Sequence, residues 1–366
     1  MKRLLIGAVF AAACGFSAGA GAQETLPASE PGPDAAVSPW SWFGDLMLRE
    51  EHVTGLRLAN GETTIQRVAG RGRFGVLYDP IPQLEFGAAI KLAVATNDNR
   101  DDRFYNLNER SNDIAADQLF ARWRPGENVS FLVGKTAFPL DLTPLVWDRD
   151  LRPIGVSADL SAPVGEFDRV RVVAGYFAGD LPYGDDSRIG AIQLGYNWHE
   201  GAPTNAGVLV SYLDFSDLDQ LVLQGQARTN RRIGNHLVSD YHLFDVQMFG
   251  RTRAGDWPVE LRIDLLRNLG ADDERDGARG SIVVGNALEP KSWEFGLSAQ
   301  RIQRDAAMAA FNSDDWWFHS WARGVMPWVG YGVSSTWSVR LAGFHELRDG
   351  ATDHVDTVFF DVFARW

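Results

Sequence analysis

Residues 355–366 read VDTVFFDVFARW. Val358, Phe360, Val362, Ala364 and Trp366 share one parity, while Asp361 and Arg365 fall on the other. Successive side chains of a strand point to opposite faces, so this stretch forms a strand with one apolar and one mixed face. It finishes on an aromatic ring. Such a ring suits a membrane interface, where one edge is apolar and the other wet, and the stretch reads as the closing strand of a transmembrane barrel with Phe360 and Trp366 in its girdle.

The same alternation recurs upstream. In TTIQRVAGRGRFGVLYD (63–79), Val68, Gly70, Gly72, Phe74, Val76 and Tyr78 lie on one face and Arg67, Ala69, Arg71 and Arg73 on the other. QLEFGAAIKLAVA (83–95) sets Leu84, Phe86, Ile90, Leu92 and Val94 against Glu85 and Lys91. FDRVRVVAGY sets Val170, Val172 and Tyr176 against Arg169 and Arg171, and WPVELRIDL sets Trp257, Val259, Leu261 and Ile263 against Glu260, Arg262 and Asp264. KSWEFGLSA and TWSVRLAGF repeat the design with Trp293, Phe295 and Leu297 and with Trp337, Val339 and Leu341.

A soluble sandwich also alternates, so loop lengths have to separate the two readings. Segmenting by alternation gives about 16 strands (14–18) of roughly ten residues, long enough to cross a bilayer at a tilt. Short turns follow every second strand: DPIP (79–82), PGEN (125–128), PVGE (163–166), HEGAPTN (199–205), RTRAGD (251–256), LEPK (288–291) and VSST (333–336). The other strands end in longer charged loops near 51–63, 96–112, 138–155, 178–187, 215–237, 269–277, 303–319 and 347–354. Strict short–long alternation is the habit of membrane barrels, with tight periplasmic turns and long outer loops. The fold expected is therefore an all-β, antiparallel transmembrane barrel over 40–366, with a possible further hairpin hidden in 215–240.

Composition agrees. The 366 residues are 45% hydrophobic and 11% aromatic with 13 Trp, which excludes low-complexity disorder. The only long apolar run is at the N-terminus, which excludes a bundle of membrane helices of about 20 residues each. That run follows Met1-Lys2-Arg3 and precedes Ala20-Gly21-Ala22, so 1–22 reads as a Sec signal peptide. Its removal takes the net charge from −13 to −15 and discards Cys14, the one cysteine, leaving no disulfide or thiolate chemistry. A lipoprotein would need Cys14 as acyl acceptor, but Ala11-Ala12-Ala13 lacks the usual branched residue before it. Residues 23–39, QETLPASEPGPDAAVSP, read as a flexible periplasmic leader.

The stretches FGDLMLREEH, VAGRGRFGVL and FLVGKTAFPLDLTPLVWDRDLRPIGVSADLS resemble a porin family of Gram-negative outer membranes. The likeness rests on Gly134-Lys135, Pro139, Trp147-Asp148-Arg149-Asp150 and Gly155, with NSDDWWF resembling a later Asp-Trp-rich stretch. It implies a channel in the cell outer membrane, in contact with lipid and lipopolysaccharide, inserted by the barrel-assembly machinery through its last strand; a homotrimer is compatible with it. It implies no particular solute.

Guanidinium groups are too costly to face lipid near the midplane, so Arg67, Arg71, Arg73, Arg122, Arg124, Lys135, Arg169 and Arg171 are expected to line a hydrated lumen. The third long loop carries Asp141, Asp148, Arg149, Asp150 and Arg152, and by analogy with porins it is expected to fold inward. Its acids would then face the arginine wall in a constriction for small polar or charged solutes. The bland alternative is an external, solvated loop.

Other signals are weaker. Two acidic loops, NDNRDDR (97–103) and ADDERDG (271–277), read as solvated segments or as holders of divalent cations among lipopolysaccharide phosphates. Gly70-Arg71-Gly72-Arg73-Phe74-Gly75 matches a dinucleotide fingerprint, but it lies inside a strand with no helix after it. Seven scattered histidines offer no metal motif, and no cofactor, metal or nucleic-acid partner is expected. Asp314-Asp315-Trp316-Trp317-Phe318-His319 reads as rim girdle or as a sugar-stacking patch. Competing functions are a barrel hydrolase with a rim constellation, for which no local motif speaks, and a polysaccharide-export-type channel.

Overall fold

A computed structural model describes residues 38–58, 61–96, 112–179 and 186–366. The signal peptide, most of the leader and the acidic loop 97–103 lie outside the described residues. Sixteen antiparallel strands close into one barrel. In chain order they are β1 (Trp40–Leu58), β2 (Gly61–Ile81), β3 (Leu84–Ala95), β4 (Asp113–Gly126), β5 (Val129–Lys135), β6 (Ile154–Val164), β7 (Asp168–Ala178), β8 (Arg188–Trp198) and β9 (Asn205–Ser216). After a helical turn α1 (Asp219–Leu223) and a small hairpin β10 (Arg232–Ile233) and β11 (His236–Leu237) come β12 (Tyr241–Ala254), β13 (Trp257–Asn268), β14 (Asp276–Gly285), β15 (Trp293–Ile302), β16 (Ala322–Gly332), β17 (Trp337–Arg348) and β18 (His354–Arg365).

Each barrel strand pairs with its neighbour in sequence, and β1 pairs with β18 to remove the last edge. The closing register sets Leu46 opposite Ala364 and Leu48 opposite Val362. Trp366 exchanges two backbone hydrogen bonds of 3.1 Å with Gly44. Gly44 is glycine for a physical reason: a Cβ there would stand 2.6 Å from the Trp366 ring.

The alternation is realised as read. Val68, Phe74, Phe86, Ile90, Leu261, Ile263, Leu341, Val358 and Phe360 are exposed on the outside, whereas Arg67, Arg73, Glu85, Arg262, Asp264, Arg340 and Asp361 are buried on the inside. Outer aromatics gather at the short-turn end: Trp40 stacks on Tyr78 at 4.3 Å, Trp42 on Phe74 at 5.5 Å and Trp123 on Phe131 at 5.5 Å. Amphipathic rings at that level are what a lipid interface selects.

Two long-loop boundaries need correction. The expected loop 51–63 is mostly strand, because β1 continues to Leu58 and β2 resumes at Gly61. Val53, Leu56 and Ile65 continue the apolar pattern there and pack with Val355, so the hairpin rises above its neighbours as ordered sheet. Segment 215–240 does hold an extra hairpin, β10–β11, but it pairs only with itself and adds no strand to the barrel.

Candidate pore constriction

Loop 136–153, between β5 and β6, folds inward. Glycines frame it. Gly134 has φ +127°, and a Cβ there would sit 2.2 Å from the Leu119 carbonyl oxygen; one at Gly155 would sit 2.3 Å from that of Tyr176. Only glycine allows the backbones so close at the two points where the chain leaves and rejoins the wall.

The loop is held on opposite sides of the lumen. At its start, the Asp141 N–H donates to Gln193 Oε1 on β8 at 3.0 Å, and its carbonyl accepts from Gln193 Nε2 at 2.8 Å and Gln247 Nε2 on β12 at 2.9 Å. The Asp141 carboxylate takes Arg262 of β13 at 3.2 Å, and the Thr143 hydroxyl donates to Asp264. At its far end, Asp150 accepts from Arg71 and, at 2.9 Å, from Arg73, both on β2. Burial would push the Asp150 carboxyl up, but the charges of Arg71, Arg73 and Arg152 outweigh it and hold it well below the usual carboxylate range.

Between these anchors the loop is apolar. Phe138, Leu140, Leu142, Leu145, Val146, Trp147 and Leu151 are all buried. An aromatic seam crosses the lumen: Phe177 of β7 meets Phe138 at 4.8 Å, Phe138 stacks on Trp147 at 4.3 Å, Trp147 stacks on Phe311 at 5.5 Å, and Phe311 meets Phe215 of β9 at 5.4 Å. Phe311 belongs to a second inserted loop, 303–321, between β15 and β16. The two loops are also tied by backbone: the Asp148 N–H donates to the Phe311 carbonyl at 2.6 Å and the Ser313 N–H to the Pro144 carbonyl at 3.1 Å. Segment 217–240 joins them through Asn230, which donates to the carbonyls of Arg304 and Ala307 at 2.8 and 2.9 Å, and through the buried Asp305, which accepts from Arg231 at 2.6 Å and Ser239 at 2.8 Å.

The expected lumen residues separate into three groups. Arg67, Arg71, Arg73, Arg122, Arg124, Arg169 and Arg171 do lie on the inward parity, but they arrive with acids rather than as a bare cationic wall. Arg67 pairs with Glu51 at 2.7 Å, Arg122 and Arg124 with Glu85 at 2.7 and 2.8 Å, and Arg171 with Asp159 at 2.7 Å. Arg169 meets Glu200 beside a short turn, at the rim rather than in the narrows. Lys135 departs from the set. It shares the parity of Phe131 and Val133, and its register partners are Leu119 and Ile154, all exposed on the lipid side, so it falls on the outward face of β5.

The loop acids also part company. Only Asp150 faces the β2 arginines. Asp141 belongs to the opposite wall, and Asp148 is buried, accepting the N–H groups of Asp150 at 2.9 Å and Asp314 at 3.3 Å. Arg149 is exposed at the loop tip, and the buried Arg152 lies 3.8 Å from Asp117.

Several groups escaped the sequence reading. Arg49 of β1 joins Asp361 of β18 at 2.7 Å and Asp315 of loop 303–321 at 2.6 Å, while Arg340 of β17 takes the same Asp361 at 2.6 Å. Arg262 and Arg340 were visible on the polar parity of their strands; their partners are distant in sequence. Loop 303–321 had a signal of its own in the apolar run Ala306-Ala307-Met308-Ala309-Ala310-Phe311, which an external loop would not carry. Its Trp316 is neither rim girdle nor open sugar platform, since it is 2% exposed and packs edge-on against Phe344 at 5.2 Å. Phe318 and Trp317 pack on the Val53 cluster. In ADDERDG, Asp273 pairs with Arg231 at 2.5 Å and Asp276 with Arg267 at 2.6 Å, so two of its acids are already matched by cations.

No family model matches the chain, and no curated protein matches it significantly in sequence. Among solved structures, OprB of Pseudomonas putida superposes with a TM-score of 0.58 at 13% identity, over 90% of this chain and 94% of that one. A mutant porin of Rhodopseudomonas blastica gives 0.51 at 12% identity over 88% and 99%. A loop-deletion mutant of OmpT, an outer membrane protein of Vibrio cholerae, gives 0.50 at 12% over 89% and 99%. The chain has a porin fold. The expected closed barrel of about 16 strands is thus borne out by its own topology and by these neighbours. In this chain loops 136–153 and 303–321 both pack against the inner face of the barrel.

Proposed function

We propose that the chain is an outer-membrane porin of a Gram-negative cell, through which small polar or charged solutes diffuse passively, with the two inserted loops setting the narrowest passage. The observation that carries this reading is loop 136–153 bonded to Arg262 on one wall and to Arg71 and Arg73 on another. The narrows keep hydrated charge: the side chains of Asp150 and Asp315 are 31% and 30% exposed, and Arg149 is exposed. Charges arranged around a narrow aqueous passage sort solutes by size and sign without any chemical step. In this reading 1–22 directs export through the Sec route, β18 engages the barrel-assembly machinery, the outer belt contacts lipid and lipopolysaccharide, and a homotrimer is the candidate assembly. Metal, cofactor, nucleic acid and catalysis have no part in it.

Purified protein reconstituted into planar bilayers is expected to give stepwise conductance, and proteoliposomes are expected to swell in small neutral sugars. Sealed membranes together with hydrolysis of a chromogenic ester or peptide would overturn the reading in favour of a barrel hydrolase. A mobility on denaturing gels that does not change on boiling would remove the membrane barrel itself.

A further inference from the structure

The arginines of the lumen lattice described above each have a carboxylate within ion-pair distance. Three others, on the β14–β17 side, do not. Among the described residues, Arg279, Arg304 and Arg348 have only neutral partners. Arg279 of β14 donates to Gln300 Oε1 at 2.8 Å and stands 5.8 Å from the Trp316 ring. Arg304 donates to the Thr229 carbonyl at 3.0 Å, and its guanidinium lies 4.3 Å from the Trp321 ring. Arg348 of β17 lies 5.1 Å from that same ring.

Register relates the three. Arg279 is opposite Gln300, Gln300 opposite Gly324 and Gly324 opposite Glu346, which defines one row across β14 to β17. Two residues nearer the outer end, Gly277, Ile302, Ala322 and Arg348 form the next row of the same face. Arg348 therefore stands at the mouth and Arg279 one row deeper, with Arg304, Trp316 and Trp321 supplied by the inserted loop.

The nearby acids are already engaged. Glu346 accepts the N–H groups of Trp317 and Phe318 at 2.8 and 3.1 Å. Asp264 accepts the Thr143 hydroxyl, Asp315 takes Arg49 at 2.6 Å, and Asp349 takes Arg301 at 3.5 Å. The charges of Asp264 and Asp315 attract Arg279 from beyond ion-pair distance, and that of Arg149 opposes them from the loop tip. An arginine held by a ring face and a neutral oxygen is positioned yet keeps its charge for a ligand, and its planar fork fits carboxylate and phosphate oxygens.

We propose that Arg348, Arg304 and Arg279 form a descending anion track on the β14–β17 side of the lumen, which draws small oxyanions, carboxylates or phosphates, from the mouth to the constriction. This rests on the porin reading and adds the sign and chemistry of the preferred solute. Part-exposed Arg279 is the selective position, and the two outer arginines feed it.

The test is the reversal potential of the full-length channel under a potassium chloride gradient, together with inhibition of chloride current by inorganic phosphate or acetate. Wild-type channels are expected to prefer chloride. Arg279→Gln is expected to lower the chloride-to-potassium permeability ratio roughly fivefold, the change for a unit charge acting with opposite sign on each of the two ions about 8 Å away through water. Arg279→Glu is expected to invert the preference, while swelling in a neutral sugar and the heat-dependent gel shift stay as in wild type. Inhibition by phosphate that Arg279→Gln removes would assign phosphate groups as the ligand, and the same result with acetate would assign carboxylates. Conducting variants with an unchanged permeability ratio, or wild-type current indifferent to both anions, would overturn the track and leave the porin reading standing. Absence of both ion current and sugar swelling in the wild type would overturn the porin reading and the track together.

Discussion

The two sides of the lumen are built by different physics. Along β1 to β4, β17 and β18 the inward face is a lattice of charges: Arg71 and Arg73 meet Asp150, Arg73 also meets Asp45 and Asp117 at 3.4 Å, and Arg49 and Arg340 share Asp361. Along β7 to β9 and β12 the inward face nearer the long loops is apolar, with Val173, Phe177, Ile189, Leu213, Phe215 and Leu243 packed under Phe138, Trp147 and Phe311 from the inserted loops, while Gln193, Gln247 and Arg262 lie nearer the short turns. Most charges find their partners across adjacent strands, whereas the apolar side is filled by residues from three separate loops. The inserted loops therefore rest on the apolar side by burial and are tied to the charged side by ion pairs.

The sharpest way to break this asymmetry is Phe311→Ala. The ring touches both Trp147 and Phe215, and removing a buried phenyl group costs about 3–5 kcal/mol when the surroundings cannot collapse. Loops 136–153 and 303–321 are expected to loosen together, giving a larger and noisier unit conductance and new protease cuts in both.

On the charged side Arg67→Met should cost about 3 kcal/mol, because Glu51 is left buried beside an apolar group; both side chains are under 8% exposed. The pair lies on two strands rather than on the loop, so the gel transition on heating should move to lower temperature while conductance per channel holds. The double variant with Glu51→Leu is expected to recover much of the loss, since well-packed apolar pairs replace buried ion pairs at little cost. Failure to recover would mean that the lattice acts as a unit larger than its pairs.

Gly134→Ala tests the junction between the two sides. With φ +127° and a backbone oxygen 2.2 Å from the added carbon, the strand end must move, at about 1–3 kcal/mol for the dihedral alone. Reduced refolding yield and a lower transition temperature on heated gels are the expected readings.

Which parts of this could be read from residues follows the same division. Strands were legible because every second residue of 63–79 or 257–265 changes character, and that period fixes which face each side chain takes. Arg71, Arg73 and Asp150 could be brought together in advance because a strand of arginines and an acidic loop have complementary charge. The fate of Asp141 and Asp148 could not be read. One is drawn to Arg262, 121 positions away, and the other is consumed by backbone N–H groups of two loops. Lys135 is misleading because its charge argues for the lumen, whereas its parity, shared with the outward Phe131 and Val133, puts it on the lipid side. Loop 303–321 was read as rim because Trp is expected there; its apolar run 306–311 argues for burial instead.

The smallest expected effect separates the two acids of the loop. Asp150→Asn removes a carboxylate that neutralises Arg71 and Arg73, so the passage should become more anion-selective with little change in stability, because the side chain is only partly buried. Asp148→Asn should leave selectivity close to wild type, since that buried carboxylate faces backbone donors of both inserted loops; the measurement for both is reversal potential in a salt gradient. Titration gives an independent reading. The folded Asp150 carboxyl is held well below its unfolded value, so its ion pair is fully formed above the ordinary carboxylate range, about pH 4, and is lost only as pH falls through the depressed value. Wild-type selectivity should therefore stay flat from neutral pH down to about 4 and shift toward anions only in stronger acid. Asp150→Asn should show the acid-like selectivity already at neutral pH. A wild-type transition centred between about pH 5 and 7 would place the controlling group elsewhere and detach the loop tip from the β2 arginines.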